Sequence, residues 1–123
     1  MTNQEIGILG ENAATELLQQ KGYAILERNY RVNHLEVDII AMKDGILVFV
    51  EVKTRAIDFL VAPQDAVNNR KQKLIINAAN GYIRKHNRTE EARLDVITVL
   101  HKNGKVTNID HIENAYYPTV RTH

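Results

Sequence analysis

The stretch LEVDIIAMKDGILVFVEVKTR, residues 35–55, decides how this chain reads. Both of its halves are rich in β-branched and other apolar residues, the composition of strands. Between them Asp44-Gly45 is a dipeptide favoured by a two-residue type I′ turn, whose central residues both need φ > 0. Strands over 35–43 and 46–55 are therefore predicted to fold back as a hairpin. With a two-residue loop, Lys43 meets Ile46. Stepping outward in that register, Asp38 falls opposite Glu51 and Glu36 opposite Lys53. Directly opposed residues share a face, with Cβ atoms roughly 4.5–5.5 Å apart.

Two opposed carboxylates repel, and their neighbours Ile39, Ile40, Val48, Phe49, Val50 and Val52 are apolar. Stability alone does not select such a pair. A hard divalent cation resolves it: Mg²⁺ takes one or two carboxylates and keeps several waters for a phosphate substrate. Mn²⁺ is expected to substitute. Asp38 and Glu51 are the candidate ligands, with the backbone carbonyl of Val52 as a third. Lys53 lies two residues beyond Glu51 and so points to the same face. Its ammonium can hold a water or hydroxide, or stabilise charge on a phosphoryl oxygen. A plainer reading stays open at this point. Glu36 and Lys53 could form a cross-strand ion pair, with Asp38 and Glu51 at a wet sheet margin. A one-residue bulge would put the two acids on opposite faces.

The flanking sequence supplies the frame. Residues 2–21 read as a helix, with Thr2 and Glu5 in capping-box spacing and Ile6, Leu9, Ala13 and Leu17 on one face. Lys21-Gly22 marks its end. A strand is predicted over 23–31. Pro63 can open a second helix running to about 87, with Val67, Leu74, Ala78 and Tyr82 as its inward stripe. Residues 93–102 and 105–112 form a second hairpin around Asn103-Gly104. The order is αβββαββ, an α/β domain over 1–115 with a mixed sheet flanked by helices and a C-terminal tail over 116–123. The 123 residues suit one core. There is no cysteine, which excludes disulfides and thiolate metal sites. No apolar run is long enough to span a bilayer and no basic leader precedes the first helix, so a cytoplasmic protein without a membrane partner is expected. The formal net charge of +1 requires any phosphate-binding surface to be a local patch.

Asp38 followed by Glu51-Val52-Lys53 resembles the signature of the PD-(D/E)xK nucleases. Gly10-Glu11-Asn12-Ala13-Ala14, Arg28-Asn29-Tyr30-Arg31, Glu36-Val37-Asp38, Phe49 through Arg55 and Arg93-Leu94-Asp95-Val96 together resemble the bacterial YraN family. The likeness runs from about Ile6 to Ala115. One departure is Leu35, where that family usually has Gly. The resemblance implies a restriction-endonuclease-like fold, related to Holliday junction resolvases, and a metal-dependent endonuclease acting on nucleic acid. It implies DNA rather than RNA, and structured or branched DNA within that class. It also favours Glu11, on the shoulder of the first helix's apolar stripe, as a further metal ligand.

Basic residues flank this centre. Arg28, Arg31 and Arg55 are candidate phosphate contacts, since arginine can clamp phosphate oxygens with two bonds. Tyr30 is a candidate stacking platform for an unpaired base, although a tyrosine in a strand is more often core. Lys71, near the centre of the second helix's stripe, either reaches a phosphate or an active-site acid, or escapes to water. Asp95 is expected to serve as a structural hydrogen-bond acceptor. A non-catalytic nucleic-acid-binding module and an accessory subunit of a DNA-processing complex are the rival functions, and a homodimer is compatible with any of them.

Overall fold

The computed structural model describes residues 1–57 and 69–115, apart from the side chains of 69–71. Its elements are α1 (Asn3–Gln20), β1 (Ala24–Val32), β2 (Leu35–Lys43), β3 (Ile46–Ala56), α2 (Asn69–Lys85), β4 (Glu91–Lys102) and β5 (Lys105–Ile112). The strands form a five-stranded sheet in the order β1-β2-β3-β4-β5. Neighbours run antiparallel except β3 and β4, which are parallel and joined by the crossover that carries α2. This mixed sheet between two helices is the expected restriction-endonuclease-like αβββαββ arrangement. No helix among the described residues is long and apolar enough to cross a membrane.

Local chemistry explains the elements. The Thr2 hydroxyl accepts from the Glu5 N–H at 3.1 Å and the Glu5 carboxylate accepts from the Thr2 N–H at 2.8 Å, closing the capping box. At the other end Gly22 takes φ +93°, and the Tyr23 N–H donates to the Leu18 carbonyl at 2.9 Å, the long bond of a Schellman cap. The Asp44-Gly45 and Asn103-Gly104 turns both have two positive φ angles, as type I′ geometry requires.

Each helix covers one face of the sheet. Ala14 and Leu18 of α1 pack with Tyr23, Ile39, Ala41, Val48, Val50, Ile97 and Val99. Ile75, Ala78, Ala79 and Tyr82 of α2 pack with Val37, Ile40, Leu47, Phe49, Leu94 and Val96. Two stripes differ from the sequence expectation. In α1 the buried positions are Gly10, Ala14, Thr15 and Leu18, one residue later than the Ile6-Leu9-Ala13-Leu17 line. In α2 Leu74 is 45% exposed and Ile75 takes its place inside. Both helices carry apolar residues over a broad arc, so periodicity fixes the amphipathic axis only to within about one residue. Pro63 and Val67 lie outside the described residues. Lys71 falls within α2, but its side chain lies outside them too.

Gly10 sets how closely α1 approaches β3. A Cβ built there would overlap the Thr54 side chain. Gly10→Ala should therefore destabilise the fold, by about 1–3 kcal/mol for an overpacked contact, despite alanine's better helix propensity. Thr54→Ala in the same chain should recover much of that loss, because it removes the hydroxyl and methyl that alanine meets. Chemical denaturation of the two single variants and the double variant measures this coupling. Strict additivity would mean that the two positions do not control the approach.

Candidate active site

The site is built where the central hairpin comes apart. β2 and β3 pair in the predicted register from Lys43↔Ile46 to Ile39↔Val50, and the ladder ends there. Asp38 and Glu51 would be the next pair. Instead the Asp38 carboxylate accepts the Val52 N–H at 2.8 Å. A side chain has taken the backbone donor that points toward β2, so the strands splay and a gap opens between them. In a strand a residue's N–H and C=O leave on the same side, so the Val52 carbonyl faces the same gap.

The splay has a partner on the other edge of β2. Arg28↔Ile39 and Tyr30↔Val37 pair, but Asn29 and Asp38 between them do not. Asn29 has φ +53°, a conformation that asparagine tolerates better than most residues. Both strands change face across this point. Ile39 packs under α1 whereas Val37, two residues earlier, packs under α2. Arg28 likewise donates to Asn12 of α1 at 2.8 Å, while the Tyr30 ring meets Tyr82 of α2 edge-on at 5.0 Å. This corrects the reading of Tyr30 as a base-stacking platform. Its ring packs against the α2-side core, and its hydroxyl is buried with no hydrogen-bond partner among the described residues. Strict alternation puts Arg28 and Tyr30 on one face, and a single left-handed residue separates them.

Glu51 and Lys53, on β3, are 8% and 6% exposed. The Lys53 Nζ lies 3.5 Å from the Glu51 Oε1. Glu36 pairs with Arg31 across the β1–β2 turn at 2.9 Å, so the cross-strand Glu36–Lys53 pair considered from sequence does not form. The shift of the α1 stripe carries Glu11 toward the buried arc, where it is partly buried. Its carboxylate stands 3.7 Å from Arg28. Among the described residues no three His, Asp or Glu side chains converge as a ready metal-ligand set. Glu11 therefore stands beside Arg28 as a charge that acts on Asp38.

Burial pushes the Asp38 carboxyl up to about 6; the Val52 N–H opposes this, and the charges of Glu11, Glu51 and Glu36 add to it. The donor chemistry suits a hard divalent cation: oxygens only, and an Asp38 carboxylate that ionises at a cost. Arg31 is 77% exposed beside Glu36 at the rim. Arg55 is partly buried and donates to the Thr54 carbonyl at 3.1 Å. A cleft of about 330 Å³ runs beside Asp38 and Glu51, with Leu35, Val37, Leu74 and Ile75 on its apolar side and His34 and Glu36 among its other lining residues.

The sign of the Asp38 effect on stability is definite. The unfolded carboxyl titrates near 4 and the folded one near 6. Below pH 4 both states hold the proton and no penalty exists. As pH rises through about 6 the folded state must ionise a buried group, and roughly 3 kcal/mol is lost. Asp38→Asn keeps an acceptor for Val52 without the charge. In chelator its melting temperature should exceed the wild type's by several degrees at pH 8, with the gap closing toward pH 4. A gap independent of pH would show that Asp38 carries no such burden.

A second polar cluster lies on the α1 face. Asp95, 1% exposed, accepts two bonds from Arg93 at 2.9 Å each, one from His111 Nε2 at 2.7 Å and one from the Asn114 N–H at 2.9 Å. Arg93 also donates to the Tyr23 hydroxyl at 2.6 Å. This is the structural acceptor role expected of Asp95. Its partners His111, Tyr23 and Asn114 carried no sequence signal, because they lie far away in the chain. Asn12 as the partner of Arg28 and Thr54 as the neighbour of Gly10 were missed for the same reason.

Comparison with known proteins places the chain. The model of the Uncharacterised protein family UPF0102 matches residues 10–99. A UPF0102 protein of Bacteroides thetaiotaomicron is 43% identical over 94% of this chain and 95% of its own length. One from Flavobacterium psychrophilum is 45% identical, covering 94% and 96%. One from Trichlorobacter lovleyi is 48% identical, covering 93% and 91%. The matched span includes Glu11, Asp38, Glu51, Lys53 and Asp95 alike, and the chain belongs to the UPF0102 family, the YraN proteins.

Proposed function

We propose that this protein is a metal-dependent nuclease that hydrolyses phosphodiester bonds in DNA. The observation that carries this reading is the broken ladder at Asp38, with Glu51 and Lys53 buried beside it on β3. Asp38, Glu51 and the Val52 carbonyl would hold the cation, Mg²⁺ or Mn²⁺. When bound, such an ion supplies a water of lowered pKa and offsets the charge that develops on the phosphate. The chain's own groups do the rest. Val52 fixes the Asp38 carboxylate through its N–H. Lys53 positions the attacking oxygen or stabilises a phosphoryl oxygen. Arg31 and Arg55 would receive the backbone phosphates, Arg28 would orient Glu11, and Lys71 remains a candidate phosphate contact.

A rival reading, a nucleic-acid-binding module without catalysis, draws on one observation: no third acid completes the ligand set among the described residues. The separating experiment is a cleavage panel of single-stranded, duplex, flapped and four-way DNA with Mg²⁺ or Mn²⁺. Melting curves accompany it. Millimolar cation should raise the melting temperature of the wild type, by binding the native state alone, and should leave Asp38→Asn unmoved. Equal responses from both proteins, with no cleavage of any DNA, would leave the binding module as the better account.

A further inference from the structure

The cleft beside Asp38 has two kinds of wall. One is the carboxylate edge, Asp38 and Glu51. The other is apolar, Leu35 and Val37 at the start of β2 with Leu74 and Ile75 of α2. Leu74 is the informative residue. Its helix buries Ile75, Ala78, Ala79 and Tyr82, yet Leu74 is 45% exposed, at the mouth of this cleft. An exposed leucine is ordinary by itself. One that lines a recess ending in a phosphodiester site lies where a nucleoside attached to the bound phosphate would sit. The volume of about 330 Å³ is at the small end of ligand pockets, enough for one base with its sugar and too little for a stacked pair.

We propose that this cleft receives one unstacked nucleotide, its base lying against Leu74 and Ile75, so that the scissile phosphate is one beside an unpaired base. The inference rests on the nuclease reading and narrows its substrate class. Aliphatic side chains serve as surfaces for displaced bases in the same way as aromatic ones, by covering a π-face that has lost its stacking partner.

The test uses the full chain and two DNA duplexes carrying 2-aminopurine, unpaired in a single-nucleotide bulge or paired within the helix. Binding is followed in Ca²⁺ by the fluorescence of the probe, and cleavage separately in Mg²⁺. The bulged probe should bind more tightly and brighten as its base leaves the stack. Leu74→Ala should weaken that binding about fivefold or more through lost apolar contact, and Leu74→Phe should strengthen it. Neither should alter binding of the paired probe. Because Leu74 lies outside the core, both variants should keep the wild-type melting temperature. If DNA is cleaved but the two probes bind alike and Leu74→Ala is silent, the nuclease reading stands and this inference falls. If neither DNA binds nor is cut, both fall together.

Discussion

Lys53→Ala should lower the single-turnover rate of DNA cleavage by about 100-fold or more while leaving divalent-cation binding intact or tighter. Loss of a preorganised group that stabilises developing charge has effects of that size. The side chain is 6% exposed and its Nζ stands 3.5 Å from the Glu51 Oε1, so it is fixed before substrate arrives. Removing it deletes a cation that competes with the metal for Glu51 and leaves both carboxylates in place. Binding of DNA should change little, since one positive group among several is lost. Glu36→Gln is the control. Glu36 pairs with Arg31 at the surface, a pair worth about 0–1 kcal/mol, so this change should be mild in both rate and melting temperature. Lys53→Met preserves more of the buried volume and guards against misreading a folding defect as a catalytic one. Near-normal cleavage by folded Lys53→Ala and Lys53→Met proteins would remove Lys53 from the mechanism.

Asp95→Ala should be the most destabilising single change considered, by about 3–5 kcal/mol, the scale for removing one member of a buried charged network. For a domain of this size that corresponds to a melting temperature about 10–20 °C lower. Four hydrogen bonds converge on the Asp95 carboxylate and join β4 to β5, to the residues after it and, through Arg93, to Tyr23. Lys21 donates to the Nδ1 of His111 at 2.8 Å, which leaves Nε2 to carry the hydrogen given to Asp95. Burial pushes this carboxyl up, but the bonds from His111, Arg93 and Asn114 outweigh it and hold it below the usual range. A depressed acid stabilises the fold above its unfolded value near 4, and that contribution is lost as pH falls through the folded one. The gap between wild type and Asp95→Ala should accordingly be full at pH 7 and narrow in strong acid. Cleavage measured well below the variant's melting temperature should stay close to normal, because the cluster lies on the face of the sheet away from Glu51. A variant that melts normally but cleaves poorly would move Asp95 from scaffold to site.

These expectations draw unequally on sequence and on tertiary structure. The hairpin of residues 35–55 was legible because a type I′ turn fixes register and register fixes opposition. From Asp44-Gly45 alone, the line of pairs leads to Asp38 and Glu51. Helix caps at Thr2 and Gly22 were legible for the same reason, since each is a short-range hydrogen-bond pattern written in a few adjacent residues. What the sequence could not state was that the ladder stops one pair short. That depends on the Asp38 side chain outcompeting backbone for the Val52 N–H, and on Asn29 in a neighbouring strand turning both chains over at the same level. The partners of Asp95, the place of Glu11 beside Arg28 and the exposure of Leu74 were likewise decided in three dimensions. Periodicity names a helix face only to within about one residue, and a contact between segments dozens of residues apart leaves no mark on either. Local chemistry determined the elements and the register of the central hairpin, and packing across the sheet determined where its strands part and which charges meet in the gap.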